Sequence, residues 1–338
     1  MGPHKDLITP MVKACRKYGL KFGFYFSVEE WGYPIIDSTG QLKIRRWEGD
    51  SAPKIIPYSK EYESKLSGKI AVRNFATDYL VPQATEFIDK YDPDIIWYDG
   101  GWSTPAKQLH TMDITAYFYN HAAGRKEVAV NDRFGLINGK RSRFHIGDFY
   151  TAELNLNLKG GLKNLYPWEE CRGISNSFGF DWQDTKKNVL SSQEFIKTFL
   201  NIVSHGGNLL LIVNLDGQGA LPKYEKDRLE DIGKWLKVNG DAIYGTRAYT
   251  TPVENNIYYT RSKDNKTVFA ISMGWPGNQL TLNTVEPKTG TKIYLLGYKE
   301  PLSWAYNNGE TIIDLPTELQ KGSKRPCKYA YAFKIKQE

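Results

Sequence analysis

Residues 6–27, DLITPMVKACRKYGLKFGFYFS, hold in one stretch the unit from which the chain is built. Leu7, Met11, Val12, Cys15 and Tyr18 recur at helical spacing, Asp6 stands where an N-cap acceptor is wanted, and Pro10 falls in the first turn. Gly19 ends that helix. Residues 21–27 follow at once as a short apolar, aromatic run, the pattern of a strand buried on both faces. Helix, glycine turn and strand make half of a βαβ unit.

The unit recurs downstream. Residues 72–91 place Phe75, Tyr79, Leu80, Phe87 and Ile88 at helical spacing, with Pro82 predicted to kink the helix, and a second buried strand, DIIWYD, follows at 94–99. A helix near 110–122, strands at 128–131 and 144–151, a helix at 192–204, a strand at 208–213 and a helix at 224–238 continue the alternation. Such alternation over about 240 residues predicts a barrel or a doubly wound sheet. No G-x-G-x-x-G and no P-loop follows a strand, which favours the (β/α)8-like TIM barrel. Residues 28–70 have no period and are rich in Gly, Pro, Ser and charge, so a long functional loop is expected there.

From about Ala248 the helical period ends. Segments 256–261, 267–272, 292–296, 311–315 and 329–335 read as strands between Gly, Asn, Asp and Pro turns, a small β-sandwich. The expected organisation is a catalytic barrel over 1–245 and a β-sandwich over 246–338. A (β/α)8 barrel needs eight parallel strands, whereas residues 1–240 supply only five or six. The first two βα units are therefore expected upstream of Met1, leaving open strand edges.

Composition narrows the classes of function. The 338 residues are 41% hydrophobic and 25% charged, and no apolar run approaches the ~18–20 residues of a membrane helix. Lys and Arg number 45 against 38 Asp and Glu, a net +7, but they are scattered. That charge reads as solubility, with nucleic acid the alternative. Cys15, Cys171 and Cys327 lie far apart without any C-x-x-C spacing, so neither a zinc site nor a disulfide framework is indicated. His4, His110, His121, His145 and His205 lack metal-ligand spacing, and no G-x-S-x-G elbow is present. Residues 1–6 have no apolar signal-peptide region.

Barrel chemistry sits at the C-terminal ends of strands. Asp99 closes the 94–99 strand and is followed by Gly100-Gly101-Trp102, a turn that exposes the carboxylate; capping of the next helix is the other reading. Glu153 ends the strand near 151, and Glu169, Glu170, Asp132 and Asp148 compete with it. Trp168 beside Glu169 is a candidate for desolvating it, as a general acid requires. Two carboxylates on different strand ends, in a chain with 9 Trp, 22 Tyr and 15 Phe, suit a glycoside hydrolase.

These residues, in their order, resemble glycoside hydrolase family 29, the retaining α-L-fucosidases. The likeness runs through Gly2 to Leu7, Gly19 to Ser27, Trp97-Tyr98-Asp99, Asn131-Asp132-Arg133-Phe134-Gly135, Thr151-Ala152-Glu153 and Trp168-Glu169, then Ser177 to Phe180, Gly206 to Leu211, Gly233 to Leu236 and Asn239 to Tyr244. The resemblance implies that Asp99 is the nucleophile and Glu153 the acid/base, with Glu169 the fallback. It implies that Tyr25, Trp97 and Arg133 line a fucose pocket, that the partner is a fucosylated glycan, and that no metal or organic cofactor is used. A periplasmic or secreted location is implied likewise. Retention calls for carboxyl groups about 5–5.5 Å apart. The family's early His-bearing strands have no counterpart here. The alternative is a truncated homologue, weakly active or inactive, that acts at most as a carbohydrate-binding protein.

Overall fold

The computed structural model describes residues 5–47, 51–68, 70–141, 147–153 and 167–337. These form two compact units, one ending at Thr151 and the other beginning at Ala152. The first opens with α1 (Ile8–Lys17) and β1 (Gly23–Ser27) and continues through β2 (Gly32–Ile36), β3 (Leu42–Arg46) and β4 (Lys54–Pro57). It then runs through α2 (Val81–Tyr91), β5 (Ile95–Asp99), α3 (Ala106–Leu109), α4 (Thr111–Ala122) and β6 (Ala129–Val130). The hairpin of β7 (Leu136–Ile137) and β8 (Lys140–Arg141) and the start of β9 (Tyr150–Glu153) complete it.

Asp6 does cap α1: its Oδ1 accepts from the backbone N–H groups of Ile8 and Thr9, each at 3.0 Å. β1, β5 and β6 pair in parallel, in that order, with Ser27 opposite Asp99. Beneath them Phe26, Ile96, Tyr98, Leu80, Ile88 and Phe118 form the main core. β1 departs from the expectation of burial on both faces. Phe26 enters the core while Tyr25, on the alternate face, is 62% exposed. The two-residue period separates them. A π-helical turn, Ala76–Leu80, leads directly into α2, and Pro82 lies at the second residue of α2.

Residues 28–70, expected as a loop, contain the antiparallel sheet β2–β3–β4 and a 3-10 turn, Lys60–Lys65. The signal was the turn sequence Asp37-Ser38-Thr39-Gly40 between Ile35-Ile36 and the segment holding Leu42 and Ile44. Gly40 sits at φ +82°, and Asp37 Oδ1 accepts from the N–H groups of Thr39 and Gln41 at 2.9 and 3.0 Å. The Thr39 hydroxyl is the main cause that pulls the Asp37 carboxyl from 3.8 to about 2, with the Gln41 and Thr39 N–H groups and Lys43 adding to it. Because the folded value is depressed, the turn's stabilisation is present above the ordinary carboxylate range and is lost as pH falls toward 2. An NMR titration of the Asp37 carboxyl should give a midpoint near 2; one at 3.8 would remove the turn's charge-dependent contribution.

In the second unit β10 (Trp168–Gly173) and β11 (Gly207–Ile212) pair in parallel, and the sheet order is β11–β10–β9. β10 lay outside the expected strands because Glu169, Glu170 and Arg172 interrupt its apolar pattern. α5 (Ser192–Ser204) carries a full capping box between Ser191 and Glu194, and α6 (Lys223–Asn239) follows β11. Further on come β12 (Arg247–Glu254), β13 (Ile257–Arg261), β14 (Thr267–Met273), β15 (Gln279–Leu282), β16 (Tyr294–Leu295), β17 (Trp304–Asn307), β18 (Glu310–Asp314) and β19 (Ala330–Lys336). They form a five-stranded sheet, β12–β13–β14–β19–β16, and a three-stranded one, β15–β18–β17.

Tyr259, Val268 and Phe333 of the larger sheet pack with Leu282 and Ile313 of the smaller, which makes the sandwich core. Tyr258, Phe269 and Ala332, on the opposite face, pack with Phe195 and Ile196 of α5 and Trp235 of α6. Burial on both faces explains the continuous apolar runs of β14 and β19. The fold is an incomplete (β/α)8-like TIM barrel followed by a small β-sandwich.

Candidate active site

The parallel register sets the site. Ser27 and Asp99 end β1 and β5 side by side, and the backbone turns away through Gly100, at φ +87°. Any side chain on Gly101 would come within 2.7 Å of Gly135 Cα, so the two glycines keep the turn tight. The ladder between β5 and β6 is prolonged by a side chain. Buried Asn131 accepts from Tyr98 N–H at 2.9 Å and donates to Tyr98 C=O at 2.8 Å, which fixes the backbone beside Trp97 and Asp99.

Asp99 caps no helix; its two oxygens are held by different donors. The Tyr25 hydroxyl donates to Oδ2 at 2.7 Å, and Arg133 Nη1 donates to Oδ1 at 3.2 Å. Tyr25 stacks on Trp97, with ring centroids 5.7 Å apart and planes inclined by 21°. The Arg133 guanidinium lies 4.7 Å from the Trp97 ring and 4.8 Å from that of Trp102, and is 7% exposed. Its Nε donates to Thr151 Oγ1 at 2.5 Å, and that hydroxyl donates to Asp132 Oδ1 at 2.9 Å. Burial raises the Asp132 carboxyl, opposed by the Thr151 hydroxyl and N–H and by Arg133. A chain of contacts thus runs from Asp132 through Thr151 and Arg133 to Asp99.

The structure brings Tyr25, Trp97, Asp99 and Arg133 together. Asp132 and Asp148, both rivals for the acid/base role, hold backbone instead. Asp132 accepts from Thr151 N–H at 3.0 Å; Asp148 accepts from Val130 N–H at 2.8 Å and from the Tyr119 hydroxyl at 2.7 Å. Glu153 ends β9 and is exposed, while Glu169 is half-buried on the neighbouring β10. The Trp168 side chain is buried. Its indole points to Gly207 and donates to His205 C=O at 3.1 Å, on the other face of the strand.

Sequence reasoning missed Thr151, Trp102 and Glu29. The first two flank Glu153 and Asp99 by two or three residues, a proximity that could have flagged them. Glu29 is fully buried against Arg45, at 2.7 Å, and Thr104; burial raises its carboxyl against those two partners. A second Glu after a strand end carried no such signal. Among the described residues no cluster of His, Cys, Asp and Glu is gathered that could hold a metal ion. His4 and His145 lie outside the described residues.

Residues 1–241 match the family model for alpha-L-fucosidase, and residues 251–336 match that for the alpha-L-fucosidase C-terminal domain. The chain belongs to the α-L-fucosidase family. It is 30% identical to the alpha-L-fucosidase of Branchiostoma floridae, over 99% of this chain and 68% of that protein. Identity to the human tissue alpha-L-fucosidase is 28%, over 99% of this chain and 66% of the relative. The chain thus spans about two thirds of the length of these relatives. Among solved structures, Thermotoga maritima alpha-fucosidase in complex with fucose matches with a TM-score of 0.69 at 28% identity, covering 99% of this chain and 69% of that one. These relatives make the chain a glycoside hydrolase of the α-L-fucosidase type.

Proposed function

We propose that this protein removes terminal α-L-fucosyl residues from glycans with retention of configuration, Asp99 acting as nucleophile and Glu153 as acid/base. The observation that carries this reading is the fixing of both Asp99 oxygens, by Tyr25 and Arg133, at the C-terminal end of β5. A carboxylate clamped against rotation meets the anomeric carbon in one orientation, which lowers the entropy cost of attack. An Asp99 oxygen bonds to that carbon as the glycosidic C–O bond breaks, and Glu153 gives its proton to the departing oxygen. Water then attacks the same carbon, Glu153 takes the water proton, and the bond to Asp99 breaks. The Tyr25–Trp97 stack offers an apolar wall for the fucose methyl group, and Arg133 orients the nucleophile. In this reading residues 1–245 are the catalytic part and 246–338 a β-sandwich domain.

The deciding experiment follows nitrophenol release from nitrophenyl α-L-fucoside, with NMR of the first-formed sugar. Turnover that yields α-L-fucose first supports the proposal, and β-L-fucose first refutes retention. Saturable fucose binding without turnover would move the assignment to a carbohydrate-binding homologue.

Thr151 positions Arg133, so Thr151→Val, which removes the hydroxyl and keeps the shape, should lower kcat about 10- to 100-fold. Thr151→Ser should restore most of it. If Val and Ser variants are equally active, the hydroxyl has no positioning role.

A further inference from the structure

We propose that the sheet β2–β3–β4 carries a second sugar-binding site, which holds a neutral pyranose on the leaving-group side of the fucosidic bond. The sheet and the 3-10 turn Lys60–Lys65 surround a cavity of about 570 Å³ lined by Trp31, Ile44, Arg46, Trp47, Tyr62 and Lys65. That volume falls within the ~300–1,000 Å³ of small-molecule sites. Trp31 is 74% exposed and meets Trp47 edge-on, with ring centroids 6.0 Å apart and planes at 78°. The Tyr62 ring has Arg46 at 5.6 Å and Lys65 at 5.7 Å. The exposed Trp31 ring suits the C–H face of a pyranose, and the Lys65 ammonium on the cavity wall is a donor for its hydroxyls.

Two tethers attach this sheet to the turn after Asp99. Trp47, next after β3, donates from Nε1 to Ser103 Oγ at 3.1 Å. Buried Glu29 joins Arg45 of β3 to Thr104. Arg45 is further packed over Phe75, 4.4 Å from the ring centroid. Ser103 and Thr104 follow Asp99 by four and five residues, so the cavity is built onto the turn that leaves the nucleophile. That attachment assigns the occupant: fucose itself belongs at Asp99, and the adjoining sugar is the one the tethered cavity can take. Glu29, which the catalytic scheme does not use, thereby gains a role as the brace between sheet and turn.

The inference rests on the fucosidase reading for its placement, but binding tests it separately. Titration of the protein with lactose or N-acetyllactosamine, both lacking fucose, should give a saturable change in tryptophan fluorescence. Trp31→Ala should abolish that change, and Trp31→Phe should keep binding measurable by calorimetry. The ratio of kcat/KM for a fucosylated lactose to that for nitrophenyl α-L-fucoside should fall about tenfold in Trp31→Ala. An undiminished lactose response in Trp31→Ala, no response in the parent protein, or an unchanged ratio would overturn the site. Absence of fucoside turnover together with an intact, Trp31-dependent lactose response would instead overturn the hydrolase reading and leave the sugar site standing.

Discussion

Asp99→Asn should lower kcat on nitrophenyl α-L-fucoside by about four orders of magnitude or more, while the far-UV circular dichroism stays native. The substitution keeps the shape and removes the attacking oxygen's charge, and loss of a covalent nucleophile in other hydrolases costs rate on this scale. The geometry adds a second penalty. Arg133 Nη1 now meets Oδ1 at 3.2 Å and the Tyr25 hydroxyl meets Oδ2 at 2.7 Å, so both partners are donors. An amide offers only one acceptor, and its NH2 group must face one of them. Residual activity within about tenfold of the parent would exclude Asp99 as nucleophile.

Glu153→Gln should show a loss that depends on the leaving group. A general acid contributes about 10²–10⁴ to the rate when the departing oxygen is basic, as in a glycan. It contributes little when the departing oxygen is an electron-poor phenolate, which leaves without a proton. The variant should therefore fall by about three orders of magnitude on a fucosylated oligosaccharide and far less on dinitrophenyl α-L-fucoside in the fucosyl-transfer step. Glu169→Gln should stay within a few-fold on both. The reverse pattern, with leaving-group sensitivity in Glu169→Gln alone, would transfer the acid/base role to Glu169 on β10.

Much of the scaffold was legible because its causes are local. The 3.6-residue period of α5 and α6, the apolar run Ile95-Ile96-Trp97-Tyr98 and the glycines after Asp99 each act within a few residues, and each lies where the pattern placed it. β10 was not legible because its charged side chains are buried by neighbours distant in sequence: Glu170 is 2% exposed and Arg172 5%. Burial pulls Arg172 below the usual guanidinium range, and Glu170 opposes it. The sheet within 28–70 was hidden for another reason. Its strands have four or five residues each, too short for a period-two pattern to stand out among Gly, Pro and charge.

By itself the amino-acid sequence determined the alternation of helices and strands, the change to β-structure near Ala248, the carboxylate at the end of β5 and, through motifs in order, the family. Each depends on side-chain spacing along one segment, which folding does not alter. Only the tertiary structure decided that Tyr25 and Arg133 share the two oxygens of Asp99, that Thr151 and Asp132 stand behind Arg133, and that Glu29 is buried between Arg45 and Thr104. Those contacts join residues 16 to 75 positions apart. Strand register and burial bring them together, and neither is written in local spacing.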